Sequence, residues 1–79
     1  MGERIVVRFA VTCFRDGVVP EWENELSEYD KAYSCGLRML AEFPSCDTFR
    51  VYRVSRTFDG GDLLGEARVE EGFCHRALL

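Results

Sequence analysis

The chain has 79 residues, enough for one small domain with one modest core and too few for separate cofactor and substrate modules. Hydrophobic residues make up 47% and aromatics 13%, which excludes a disordered chain, and the charged 30% is interspersed rather than blocked. Ten basic residues against fourteen acidic ones give a formal charge of -4, which excludes a generic polyanion binder with a wholly positive surface.

The opening residues Met1-Gly2-Glu3-Arg4-Ile5-Val6-Val7 fit neither a secretory signal nor a membrane span, so a cytoplasmic protein with no membrane partner is expected. From Ile5 the chain alternates, with Ile5, Val7, Phe9, Val11 and Cys13 on one face and Arg4, Val6, Arg8, Ala10, Thr12 and Phe14 on the other, as in a half-buried strand. Arg15-Asp16-Gly17 carries turn chemistry and Val18-Val19 can add a short extended piece. Pro20 suits a first helical turn. Trp22, Leu26, Tyr29, Tyr33, Leu37, Leu40 and Phe43 then recur at steps of three and four, which predicts an amphipathic helix of about six turns. Gly36, at the edge of that stripe, permits close approach to a sheet, and Pro44 ends the helix.

Residues 49–69 read as a hairpin around Asp59-Gly60-Gly61-Asp62. With Gly60-Gly61 as the turn, Phe58 faces Leu63, Arg56 faces Gly65, Val54 faces Ala67 and Tyr52 faces Val69. Tyr52, Val54, Phe58, Leu63, Ala67 and Val69 then form the buried face, and Gly72 ends the strand before a tail. The expected fold is α+β, a single compact domain over residues 1–79: one long amphipathic helix packed on a three-stranded, mainly antiparallel sheet in the order β-α-β-β. The first strand is expected beside the last, which makes both pairings antiparallel.

No catalytic motif is present: there is no phosphate-cradling loop, no GxSxG and no HExxH, and the single His75 follows Cys74 in the tail as a solvated imidazole. A non-enzymatic protein without cofactor or metal is therefore expected. Cys13, Cys35, Cys46 and Cys74 contain no CxxC; Cys13 and Cys35 read as buried apolar residues and Cys46 and Cys74 as loop residues, with thiol or disulfide state open. Two charged features remain. Glu21, Glu23, Glu25, Glu28 and Asp30 place five carboxylates at the helix start, where they stabilise the helix dipole or face a basic partner surface. Arg4, Arg8, Arg53 and Arg68 project from the open face of the sheet, where they can meet DNA or pair with Glu66 and Glu70.

In size, acidity and strand-helix-strand-strand order the whole chain resembles small phage-encoded anti-CRISPR inhibitors, a group without a shared residue signature. The resemblance implies a non-enzymatic inhibitor that docks on a CRISPR effector subunit and blocks target DNA binding, with Glu21, Glu23, Glu25, Glu28 and Asp30 as the positions for DNA mimicry. Four exposed arginines depart from a purely acidic mimic. The alternatives are a small nucleic-acid-binding domain using the Arg-bearing sheet face and a zinc-stabilised interaction module; the chain can be a monomer or a homodimer paired through an exposed strand edge.

Overall fold

The computed structural model describes residues 2–79. Its elements are β1 (Glu3–Arg15), β2 (Val19–Leu26), α1 (Tyr29–Glu42), β3 (Thr48–Asp59), β4 (Asp62–His75) and a closing 3-10 turn (Arg76–Leu78). The fold is α+β, one helix and a four-stranded antiparallel sheet ordered β2-β1-β3-β4.

The extra strand corrects the expected β-α-β-β order. Asp16 and Gly17 both have positive φ, 56° and 68°, and Val18 N–H donates to the Arg15 carbonyl at 3.2 Å. Two consecutive positive-φ residues make the turn whose twist matches a hairpin, so the chain folds straight back as β2 instead of entering a helix. Pro20 is accommodated because β2 is an edge strand. The helix therefore has 14 residues, about 21 Å, and not six turns. It ends where expected, with Phe43 extended ahead of Pro44. Because β2 reverses the chain, β1 lies antiparallel beside β3 and not beside the last strand.

The β3–β4 turn is as expected, with Asp59 opposite Asp62 and Phe58 opposite Leu63. A bulge at Leu64 then shifts the pairing by one residue, so Arg56 faces Glu66, Val54 faces Arg68 and Tyr52 faces Glu70. Independently of that bulge, α1 packs on the Phe49, Val51, Arg53, Ser55 and Thr57 side of β3, the face expected to be outward. β4 runs on through Gly72, where a Cβ would overlap the Tyr29 hydroxyl.

The α1 face that packs on the sheet is Ala32, Cys35, Gly36, Met39 and Leu40. Small residues lead it, so the helix sits close: Phe49 is fully buried, and a Cβ on Gly36 would overlap its ring. The expected stripe is rotated, with Tyr29 edge-on to Phe9, Tyr33 edge-on to Phe49 and Leu37 exposed. Trp22, on β2 and not on the helix, stacks on Phe43 at the C-terminal end of α1. All four cysteines are buried; Cys46 lies in the α1–β3 connection, a loop as expected, whereas Cys74, also expected in a loop, lies in β4. The Arg76 guanidinium donates to the carbonyls of Leu40 (2.6 Å), Phe43 (3.4 Å) and Cys46, which satisfies acceptors left unpaired at the helix end.

Gly36→Ala tests this packing. Alanine adds up to ~1 kcal/mol of helix propensity, but overpacking against a ring with no free space costs roughly 1–3 kcal/mol. A lower thermal midpoint is expected; a higher one would mean that the helix does not sit against Phe49.

Candidate interaction surfaces

The face of the sheet away from α1 is not open. Ala10, Thr12, Phe14 and Val54 all belong to it by register and are buried. What covers them is a lattice of ion pairs. Arg68 on β4 donates to Glu23 on β2 at 2.8 and 3.3 Å, and Arg56 on β3 donates to Glu25 on β2 at 2.7 Å and Glu66 on β4 at 2.8 Å. Glu66 also accepts from Arg68 at 3.3 Å, and Glu23 accepts from the Thr12 hydroxyl at 2.8 Å. β2 and β4 are the two edges of the sheet. In a flat sheet three strand spacings, about 14 Å, would separate them. Arg68 also lies level with Arg8 while Glu23 lies level with Thr12, four residues along β1. Their contact therefore requires a sheet that coils strongly, concave on this side.

The lattice fixes the protonation of its members. The Arg68 guanidinium holds the Glu23 carboxyl below the usual range, Arg56 does the same to Glu25, and Arg56 and then Arg68 to Glu66. These are charge-assisted hydrogen bonds at the surface, and the Arg stems lie over the apolar residues beneath while their heads stay in contact with water.

The sequence-expected site residues are thus dispersed. Glu21, Glu23 and Glu25 are on a strand, not a helix start: Glu21 pairs with Arg15 at 3.4 Å, and the other two are in the lattice. Only Asp30 lies in the first helical turn, with Glu28 just before it and 4.0 Å from Lys31. Arg4, Arg8 and Arg68 share the outer face, but Arg53 lies on the α1 side and pairs with Glu71 at 3.2 Å. Arg4 stands over the Phe58 ring, and Arg50 over Phe14 while pairing with Glu70 at 3.6 Å.

Sequence reasoning missed a different surface. α1 covers the sheet only as far as the Phe9–Arg53–Val69 row. Beyond it, on the same side, Ile5 is 67% exposed and Val7 43%, with Val69 at the margin 49% exposed. The strip between is made of small or short residues, Ser55, Thr57, Gly65 and Ala67. β2 pairs with β1 only from Phe9 onward, so Glu3–Arg8 also offer an unpaired backbone edge. At the tip Glu3, Asp59 and Asp62 lie in one cross-strand row, and among the described residues no cation forms an ion pair with any of them. Like charges placed opposite one another destabilise a sheet, so the row is not explained by the fold's own stability.

His75 is half-buried, not simply solvated: its Nδ1 accepts from Ala77 N–H at 3.2 Å and its Nε2 is 3.7 Å from Asp47. Two shallow depressions flank α1, about 380 Å³ beside Leu26, Lys31 and Arg38 and about 460 Å³ beside Tyr29 and Tyr33. Among the described residues no group of three or more His, Cys, Asp or Glu is placed to hold a metal ion, and no helix is long and apolar enough to cross a membrane. No protein-family model, curated protein or solved structure matches the chain.

The lattice makes stability acid-dependent. Glu23, Glu25 and Glu66 titrate lower in the folded chain than the ~4.3 of an unfolded Glu. Their contribution is complete above that value and is lost as pH falls through the lower folded values. The thermal midpoint is expected to be flat from neutrality to about pH 5 and then to drop, with Glu23→Gln removing part of the drop. At neutral pH Arg68→Met should lower the midpoint by a few degrees, at most the roughly 4–8 °C that corresponds to ~1 kcal/mol, the upper end for a surface pair. A double-mutant cycle between positions 23 and 68 showing no coupling contradicts the bridge.

Proposed function

We propose that the chain is a non-enzymatic protein-binding module whose docking surface is the distal, α1-side end of the sheet. The observation that carries this reading is the exposed apolar strip of Ile5, Val7 and Val69 alongside the unpaired edge Glu3–Arg8. Apolar side chains clustered beside a free edge provide desolvation energy and backbone hydrogen bonds together, the two components of strand-type docking. The acidic row Glu3, Asp59 and Asp62 at the tip selects the partner: an apolar patch flanked by Arg or Lys. A basic surface on a CRISPR effector subunit, as the resemblance implies, is the specific form of this proposal, with blocked target DNA binding as its consequence. Glu21, Glu23 and Glu25 are engaged in pairs and Glu28 lies 4.0 Å from Lys31, so the carboxylates that steer encounter are those of the tip, with Asp30 at the helix start nearest the Phe9 margin.

Nucleic-acid binding through Arg4, Arg8, Arg53 and Arg68 is the weaker reading, because Arg53 lies on the opposite face and Arg68 is bound by Glu23 and Glu66. Target DNA binding by purified CRISPR effector complexes, measured with and without the chain, tests the proposal. Inhibition is expected, with a loss of at least tenfold in apparent affinity for Ile5→Glu/Val7→Glu, which alters exposed positions and should keep the wild-type circular dichroism. Unaffected DNA binding across effector types ends the anti-CRISPR form. Full inhibition by the double variant ends the assignment of this surface.

A further inference from the structure

The core contains a second chemical feature, independent of any partner. The Cys13 and Cys46 sulfurs are 3.0 Å apart, and both side chains are fully buried. We propose that Cys13 and Cys46 form a specific redox pair, closing to an internal disulfide that ties the C-terminal end of β1 to the α1–β3 connection when the chain folds in the presence of a low-molecular-weight disulfide. Their separation is only about 1 Å longer than the ~2.05 Å sulfur–sulfur bond. Both backbones are held in place around it. Cys13 lies within β1 between two paired strands, and Cys46 N–H donates to Phe43 O at 2.9 Å. The next residue's N–H, Asp47, donates to Phe14 O at 2.9 Å, and Arg76 holds the Cys46 carbonyl.

The other two thiols are engaged elsewhere. Cys35 lies 3.6 Å from the Asn24 side-chain amide and 3.9 Å from the Met39 sulfur, and Cys74 contacts the His75 carbonyl at 3.7 Å. One pairing among the four cysteines is thus favoured by geometry.

Burial separates the thermodynamics of the bond from its kinetics. It pushes the Cys13 thiol up to about 12, helped by the neighbouring Cys46, so the attacking thiolate is scarce in the folded chain. Oxidation therefore proceeds through open or folding chains. One protein thiolate attacks a sulfur of the small disulfide, forming a mixed disulfide and releasing one small thiolate. The second protein thiolate then attacks the protein sulfur of that mixed disulfide and expels the other small thiolate. Two protein thiols are oxidised, one small disulfide is reduced to two thiols after protonation, and the protons come from the protein thiols. Once the core closes, the bond is shielded from reduction as the thiols were from oxidation, so the redox state at folding is retained.

The experiment is refolding of the full chain from denaturant with oxidised or reduced glutathione. The four cysteines fall in four different tryptic peptides, because Arg8, Arg15, Lys31, Arg38, Arg50, Arg68 and Arg76 separate them. The oxidised product is expected to be about 2 Da lighter, to link the Cys13 and Cys46 peptides, and to leave Cys35 and Cys74 reactive after denaturation. Its thermal midpoint should rise by roughly 10–20 °C, since the bond closes a long loop. On the folded, reduced chain the same reagent should react at least tenfold more slowly, accelerating with sub-denaturing urea. A different linkage, four free thiols after oxidative refolding, or a lowered midpoint overturns the proposal. All comparisons use the wild-type chain in two redox states; Cys46→Ser, where it folds, should lose the mass shift, and Cys35→Ser should keep it.

Discussion

A single α-helix covers one face of a four-stranded sheet, and the described residues supply no second α-helix for the other. The second face must be protected by the sheet itself. Coiling brings the edge strands together over Ala10, Thr12 and Val54, and long charged side chains close the remaining gap. Charged residues suit this role better than a further apolar layer would. Arg68 and Arg56 lay methylene stems on the core while their guanidinium groups keep part of their hydration, so the large desolvation penalty of a fully buried pair is avoided. Each pair alone is weak, but two guanidinium groups shared among three carboxylates link β2 to β3 and β4, neither of which is its neighbour in the sheet.

That solution divides the molecule lengthwise. Where α1 and the lattice overlie the same strands, both faces are covered and the side chains are spent on packing. Towards the tip the strands continue, giving a long body of 48 × 22 × 17 Å, but the helix does not follow them. The exposed end of β1 is flanked by Arg4 and Arg8 on one face and Glu3 at its start, charges that discourage indiscriminate edge pairing while leaving the apolar side available. An edge with this mixture is suited to a selective contact more than to aggregation.

The fold class, β1, the helix end at Pro44, the close approach at Gly36 and the Gly60-Gly61 turn were all legible in the sequence. β2 was not, because Trp22 and Leu26 are four residues apart and satisfy both a helical and a strand period. The signals that distinguish them were present: Asp16-Gly17, a strong hairpin turn, and strict alternation of Glu21, Glu23 and Glu25 with Trp22, Asn24 and Leu26. The bulge at Leu64 had no comparable signal, and it put Glu66, Arg68 and Glu70 opposite Arg56, Val54 and Tyr52. Arg53 lies on the helix side because α1 packs on the Phe49–Val51 face of β3 and not on the Tyr52–Val54 face. The Ile5–Val7 surface was hidden for a related reason: those residues share the phase of the core strand, and only the shortness of α1 leaves them uncovered.

Composition counts charges, whereas the fold determines which remain able to act at a distance. Six carboxylates, Glu21, Glu23, Glu25, Glu66, Glu70 and Glu71, are matched by Arg15, Arg50, Arg53, Arg56 and Arg68 at close range. Such pairs present little net field beyond a Debye length of about 8 Å. Within the acidic run that dominates the sequence, Glu21, Glu23 and Glu25 are therefore spent on close pairs, whereas among the described residues Asp30 forms none. The inconspicuous Glu3, more than fifty residues from Asp59 and Asp62, is brought into one row with them by β-sheet register, and among the described residues none of the three has an ion-pair partner. Their repulsion is a cost that the fold tolerates at an end where packing contributes little, and a basic partner that relieves it gains binding energy from the same source.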